Sequence, residues 1–168
     1  MKIQRCCGMS CAVVVLVLGL LPRLAGAQEK RAEDKYACLE PSPAAQCNAS
    51  NTCGSPSMPC IVNVKRTGHS ASATPSIPNA KDNALFCVTT GTTVTWRSSA
   101  SNTGFLVDFG ASSPFDPPET IMGGSKKAVA VKAVRTGCFR YAFQATKSSA
   151  VRGMSEASRA ELIVLGGE

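Results

Sequence analysis

The sequence predicts an all-β protein: a Greek-key β-sandwich of about seven strands, preceded by an irregular cysteine-rich segment. Two features of the chain after Cys60 indicate this fold. Short segments rich in β-branched and aromatic residues alternate with turn-forming residues, and several of them alternate apolar and polar side chains with a period of two. The sequence has no strong amphipathic helix pattern. The length of 168 residues is enough for one such domain.

Residues 1–27 are predicted to be a secretory signal peptide. Lys2 and Arg5 precede an apolar run at residues 12–21, and an Ala-Gly-Ala motif ending at Ala27 supplies a cleavage site. The alternative, a membrane anchor, would need about 20 apolar residues to span a bilayer, and this run is half as long. We therefore expect cleavage near Ala27, no membrane span in the mature chain, and a secreted or periplasmic location.

Removal of the signal peptide takes away three basic residues and no acidic one, so the formal net charge falls from +7 to +4. The basic residues that remain form no stripe, because Lys65-Arg66 and Lys126-Lys127 are isolated doublets. Proteins that bind nucleic acids typically combine a basic stripe with aromatic platforms, so nucleic acid is not an expected partner. The partner is unknown, and the classes that remain are a protein or an anionic cell-surface polymer.

Residues 28–59 form a predicted irregular segment between the signal peptide and the sandwich. The segment is rich in Pro, Ser, Asn and Gly, which favour turns, and it has no hydrophobic period. An even number of cysteines in an exported chain indicates disulfides. A zinc site is the alternative, but the segment lacks the C-x2-C pair and the histidine that zinc sites prefer. Six cysteines remain in the mature chain: Cys38, Cys47, Cys53, Cys60, Cys87 and Cys138.

Residues 60–168 are predicted to form the sandwich. Seven segments in this part have the composition of strands, and turn residues separate them. They are residues 60–66, 84–89, 92–97, 104–109, 127–134, 138–145 and 160–165.

The alternation within these segments predicts which side chains face the core. Val94 and Trp96 share one face of their strand, and Thr95 lies on the other. In the same way Phe139, Tyr141 and Phe143 share a face opposite Arg140, and Val129, Val131 and Ala133 share a face opposite Lys132. Three long connections, residues 67–83, 110–126 and 146–159, are predicted to be loops, where function is commonly carried.

Two of the segments carry motifs that resemble a known family. Residues 91–96 read GTTVTW, residues 137–143 read GCFRYAF, and a last apolar strand follows at residues 160–165. This order is similar to that of the cupredoxin-like fold, the small Greek-key sandwich of plastocyanin and its exported bacterial relatives. More narrowly, the chain resembles uncharacterised exported bacterial members in which Ser-Pro-Phe, here ending at Phe115, follows the third strand. The resemblance covers residues 60–168.

The resemblance also implies where copper ligands would lie. A blue-copper site uses two histidines and a thiolate, with a weak axial methionine. The first histidine would fall within residues 102–105, and the cysteine within residues 143–145 with the second histidine shortly after. This chain has neither residue type at those places, and Met154 matches only the axial position. We therefore expect no metal and no cofactor.

Cys87 and Cys138 are predicted to form a disulfide. In a sandwich, their strands face each other across the core or neighbour each other in one sheet, and such a bridge would stabilise the fold by roughly 4 kcal/mol in the chain-entropy model. One feature opposes this pairing: Cys138 alternates with Phe139, so if Phe139 faces the core then Cys138 faces outward, unless a bulge intervenes. Spacing does not determine how Cys38, Cys47, Cys53 and Cys60 pair.

The leading hypothesis is an exported, metal-free, cupredoxin-like domain that acts as a binding or structural module with an unknown ligand. The loops at the copper pole, residues 97–104, 110–126 and 144–159, would form its contact surface. No enzyme activity and no catalytic residue are predicted, because the single histidine, His69, lies in a loop without a nucleophile motif.

The alternative hypothesis is a copper-binding or electron-transfer protein with an atypical site. In that site, His69 with Met58, Met122 or Met154 would supply soft ligands for copper(I).

Overall fold

The computed structural model describes Cys38 and residues 41–67, 70–98, 100–124, 127–147 and 160–167, of which the side chains of Thr67 and Lys147 are excepted. These residues belong to the unit Glu33–Glu168. The predicted signal peptide, residues 1–27, lies outside the described residues. No helix in the part of the chain that the structure describes is long and apolar enough to cross a membrane.

The described chain confirms the predicted fold class, an all-β sandwich behind a disulfide-rich segment. Its strands, in chain order, are β1 (Cys60–Thr67), β2 (Ser70–Pro75), β3 (Phe86–Thr89), β4 (Thr93–Ser98), β5 (Thr103–Asp108), β6 (Phe115–Asp116), β7 (Ile121–Gly123), β8 (Val129–Ala133), β9 (Gly137–Arg140), β10 (Ala142–Lys147) and β11 (Glu161–Leu165).

The strands form two layers. The first layer is a five-stranded sheet in the order β2-β1-β4-β8-β6, and the second consists of two three-stranded sheets, β10-β5-β7 and β3-β11-β9. The chain passes repeatedly from one layer to the other, so that β1 pairs parallel with β4 and β3 pairs parallel with β11, while the other pairs are antiparallel. Crossovers of this kind make the sandwich a Greek key.

The period-two alternation places the predicted core residues between the layers. Val94 and Trp96 of β4 are buried and Arg97 is exposed, as the sequence predicts. Phe139, Tyr141 and Phe143 are likewise buried in the core. Aromatic side chains fill the centre, where the Tyr141 ring lies 5.4 Å from that of Trp96 and 5.1 Å from that of Phe109, a spacing at which such rings attract each other.

The structure has more strands than the sequence predicts. Residues 67–83 were predicted to be a loop, yet they contain β2, whose Ala and Ser side chains give a weak strand signal. Pairing with β1 forms this strand, for example Val64 opposite Ala73. The predicted loop at 110–126 contains the short strands β6 and β7. The predicted single strand at 138–145 is divided at Tyr141, where the chain leaves the β3-β11-β9 sheet and enters the β10-β5-β7 sheet.

The described part of the irregular segment, residues 41–59, contains one helical element, a 3₁₀-helix at Pro43–Gln46. Pro43 begins it, a position where the missing N–H of proline costs nothing. Turns and isolated bridges follow up to Cys60, and the 3₁₀-helix lies against β9 and β11. The segment therefore packs on the second layer.

Candidate functional site

The end of the sandwich where β4 passes into β5 and where β10 ends is the predicted contact surface. There β5 and β10 pair antiparallel, with Phe105 opposite Ala145 and Gly104 opposite Thr146. The two stretches in which the resemblance would place copper ligands, residues 102–105 and 143–145, are therefore neighbours in one sheet.

The described residues of these two stretches include a hydroxyl, a phenyl ring and a methyl group inside the fold. Thr103, Phe105 and Ala145 are all buried. Two glycines let the strands pack closely: a Cβ on Gly104 would lie 2.8 Å from Thr146 Oγ1, and a Cβ on Gly123 would collide with the Phe105 ring and lie 2.6 Å from the Lys127 carbonyl oxygen.

The residues of the alternative copper site are not gathered at one place in the described structure. His69 and Met154 lie outside the described residues. Met58 is 63% exposed in the turn that precedes β1 of the first layer, and Met122 is 62% exposed on the outer side of β7 in the second layer. Neither thioether has an imidazole or thiolate beside it that the structure describes.

Two carboxylates lie on either side of the loop between β5 and β6, since Asp108 ends β5 and Asp116 ends β6. Asp108 Oδ1 accepts a hydrogen bond of 2.9 Å from the Gly110 N–H, and this bond holds a turn in which Gly110 adopts a φ of 64°. Asp116 is exposed on β6, opposite Lys132 of β8. Because β5 and β6 belong to different layers, the structure gives the two carboxylates separate surroundings.

Two buried polar groups lie in the aromatic core, the Tyr141 phenol and the Trp96 indole. Burial raises the pKa of the Tyr141 phenol above its ordinary value, so that this group is neutral at physiological pH. The Tyr141 hydroxyl and the Trp96 indole Nε1 have no hydrogen-bond partner among the described residues. Both groups are inside the aromatic core.

The outer face of the first layer, which we call the open face, is polar. Lys65, Arg97 and Lys132 are exposed on it. Arg97 Nε donates a hydrogen bond of 2.8 Å to Asn63 Oδ1, and Ile61 is half-buried beside these residues. Ser72 of β2, in register with Lys65, is the buried residue of this face.

The outer face of the β3-β11-β9 sheet, which we call the covered face, is different. The cover segment, defined as Cys38 and residues 41–53, lies over it. Ile163 of β11 belongs to this face, because its neighbours Leu162 and Val164 belong to the core, yet Ile163 is 1% exposed. The cover segment also pairs with the edge of β3, since the Cys53 N–H donates to the Cys87 carbonyl (2.8 Å) and the Cys87 N–H donates to the Asn51 carbonyl (2.9 Å). An edge covered in this way cannot pair with another chain.

Disulfides clamp the cover segment on both sides of β11. Cys47 is bonded to Cys87 on β3, and Cys38 is bonded to Cys138 on β9. A third disulfide joins Cys53 to Cys60, and both of its members are buried.

The predicted pairing of Cys87 with Cys138 is therefore wrong. Both cysteines are in register with Ile163, from opposite sides of β11. Two inter-strand spacings separate their Cα atoms by about 9.5 Å, and a disulfide needs less than about 7 Å. The alternation of Cys138 with Phe139 already indicated that Cys138 faces outward, away from any partner across the core. The position of β11 between the two cysteines was the missing information.

The Cys38–Cys138 disulfide has a buried carboxylate beside it. Glu161 is 3% exposed, and one of its oxygens lies within 4.8 Å of both sulfur atoms. Arg140 of β9 is in register with Glu161 across the β9–β11 pair. A charged side chain is rarely so buried without compensation, so the covered face includes a polar environment next to the disulfide.

Comparison with known proteins yields structural likenesses alone. No protein-family model and no curated protein matches the chain. An oxidised mutant of amicyanin is 12% identical, with a TM-score of 0.34, over 69% of this chain and 94% of its own. Reduced rusticyanin is 12% identical, with a TM-score of 0.37, over 77% of this chain and 97% of its own. Rusticyanin from Thiobacillus ferrooxidans is 14% identical, with a TM-score of 0.34, over 77% of this chain and 95% of its own. Scores of this size assign no family and transfer no ligand.

Proposed function

We propose that this chain is an exported, metal-free, cupredoxin-like β-sandwich that acts as a binding or structural module and not as an enzyme. The main support for the proposal is the identity of the side chains that are buried at the pole. Phe105 and Ala145 are neighbours there, both buried, where the resemblance requires copper ligands.

The strands that bear the family motifs support the cupredoxin-like assignment. The motif at residues 91–96 leads into β4, which lies in the first layer between β1 and β8. The motif at residues 137–143 forms β9 and the start of β10, and β11 lies between β3 and β9. Each motif therefore lies on an element that the resemblance predicts to be a strand.

Three disulfides support the export of the chain, because such bonds persist in oxidising compartments. The predicted signal peptide agrees with this location. The ligand is a protein or a cell-surface polymer, and the proposed contact surface is the described part of the pole, residues 100–104 with Gly124 and Lys127. Residues 110–116, predicted to share this surface, lie at the opposite end of the sandwich, because they follow the last residue of β5 and Phe115 is in register with Ala133 at the end of β8.

Metal analysis of the mature protein tests this proposal. The protein is purified without added metal, one sample is dialysed against copper(II) and one against copper(I), and bound copper is measured after the free ion is removed. We expect less than about 0.1 copper per chain and no blue colour, because a site without imidazole and thiolate ligands binds this ion weakly. Retention of one copper per chain would overturn the proposal.

A variant separates an atypical thioether site from adventitious binding. If copper(I) is retained by the parent protein and lost from the double variant Met58→Leu, Met122→Leu, the alternative hypothesis replaces ours. Leucine is a suitable control residue because it conserves the volume and apolar character of methionine.

A further inference from the structure

The three disulfides differ in how well a thiol can reach them. Cys38 and Cys138 are both partly exposed. In the Cys47–Cys87 bond, by comparison, Cys47 is partly exposed and Cys87 is fully buried, and both members of the Cys53–Cys60 bond are buried, so only Cys38–Cys138 has two partly exposed members. Thiol–disulfide exchange requires the attacking thiolate to approach a sulfur atom of the bond, so exchange rates follow access. The Cys38–Cys138 bond is therefore the one that an external thiol reaches first.

Opening this bond would leave most of the cover segment in place. The Cys47–Cys87 disulfide holds the cover segment from its other side, and the hydrogen bonds of Asn51 and Cys53 to Cys87 hold its end on β3. Neither Cys38 nor Cys138 belongs to the hydrophobic core cluster of the sandwich. Breaking the Cys38–Cys138 bond therefore frees the Cys38 end of the cover segment from β9, while the 3₁₀-helix stays against β9 and β11 and the space between the layers stays closed.

Ionisable side chains lie beside the Cys38–Cys138 bond. Glu161 lies within 4.8 Å of both sulfur atoms, and Arg140 is opposite Glu161 in the sheet. Reduction would present two thiols and a carboxylate on the same patch of β9 and β11.

We propose that Cys38–Cys138 is a thiol–disulfide exchange site whose substrate is a dithiol, and that exchange there releases one side of the cover segment while the sandwich stays folded. One thiolate of the dithiol attacks a sulfur of the pair, the S–S bond breaks, and a mixed disulfide forms. The second thiol of the dithiol then displaces the protein sulfur. The dithiol is oxidised to a disulfide and dissociates. Its two electrons and two protons reduce the protein disulfide, so that Cys38 and Cys138 become thiols. This inference is independent of the metal content of the pole.

Timed reduction with dithiothreitol tests the inference on the mature chain. Samples are quenched with iodoacetamide, and alkylated cysteines are identified by peptide mass spectrometry. We expect Cys38 and Cys138 to be alkylated at least about tenfold faster than the other four cysteines, because access sets the rate. The fluorescence of Trp96, the only tryptophan, should stay constant during this first phase. Simultaneous labelling of all six cysteines, or earlier labelling of Cys47 and Cys87, would overturn the inference.

The double variant Cys38→Ser, Cys138→Ser provides the matched control. It lacks the exchange site and retains both other disulfides. Its four cysteines should resist dithiothreitol as they do in the parent protein during the first phase. If Cys47 and Cys87 of the variant react as fast as Cys38 and Cys138 of the parent, the selectivity comes from general opening of the cover segment, and the inference is wrong.

Discussion

The two outer faces of the sandwich differ in what lies over them. On the open face, Ile61 is half-buried among polar side chains such as Arg97, and Lys65, Arg97 and Lys132 are exposed. On the covered face, the cover segment buries Ile163 to 1% exposure and disulfides hold it at both flanking strands. The difference shows that the cysteine-rich segment acts as a third layer over part of the second sheet, and that its stability depends on covalent bonds because it has little apolar surface of its own.

A large effect is expected from removing the bond between the cover segment and β3. The double variant Cys47→Ser, Cys87→Ser should lower the free energy of unfolding by about 4 kcal/mol, since the bond joins residues separated by 40 positions. Urea unfolding, followed by circular dichroism, measures this change. As a control on the open face, Thr95→Ala should change the free energy by less than about 0.5 kcal/mol. A double variant as stable as the parent would mean that the cover segment is not held to β3 by this bond.

A matched pair of isoleucines gives the next effect. Ile163→Ala on the covered face should cost about 3 kcal/mol, the usual result of deleting a fully buried side chain. Ile61→Ala on the open face should cost about 1 kcal/mol, because the half-buried side chain loses less burial and water fills the space. The two free energies of unfolding, measured by the same method, test the comparison directly. Equal costs would show that the covered face is not covered in solution.

The smallest effect at neutral pH belongs to Tyr141, whose side chain lies between the layers and on neither outer face. Burial raises the pKa of its phenol, whereas an unfolded tyrosine ionises near pH 10. Above that pH the folded state binds more protons than the unfolded state, so the free energy of unfolding falls as the pH rises. Below it, this contribution to stability is fully present.

Tyr141→Phe removes both the ionisation and a hydroxyl without a described partner. We therefore expect a change of less than about 1 kcal/mol at neutral pH and a smaller loss of stability than in the parent between about pH 9 and about pH 11. Urea unfolding at both ends of this range measures the two losses. Identical losses in parent and variant would contradict the assignment of a buried, neutral phenol.

The sequence predicted those elements whose burial pattern is local. β4, β8, β10 and β11 have alternating or continuous apolar residues, and the structure places strands there. β2 was missed because its Ser and Ala side chains give little signal, and its strand conformation depends on distant pairing with β1. The segments 60–66 and 104–109 were predicted within one residue of the limits of β1 and β5.

The disulfide pairing of Cys87 and Cys138 could not be predicted from the sequence, for a different reason. Alternation indicates that Cys138 faces outward, but it does not indicate that β11 lies between β3 and β9. Strand order in a sheet is a long-range property, and it alone separates Cys87 from Cys138. At the pole, in contrast, the absence of copper ligand types near residues 102–105 and 143–145 was visible in the sequence, and the structure adds that these stretches are paired neighbours.

Disulfide mapping of the unreduced mature protein tests the account most directly. The protein is digested under acidic conditions that prevent exchange, and the linked peptides are identified by mass spectrometry. The account predicts Cys38 linked to Cys138, Cys47 to Cys87, and Cys53 to Cys60. A peptide linking Cys87 to Cys138 would contradict it, because such a bond is incompatible with β11 between the two strands and with a clamped cover segment.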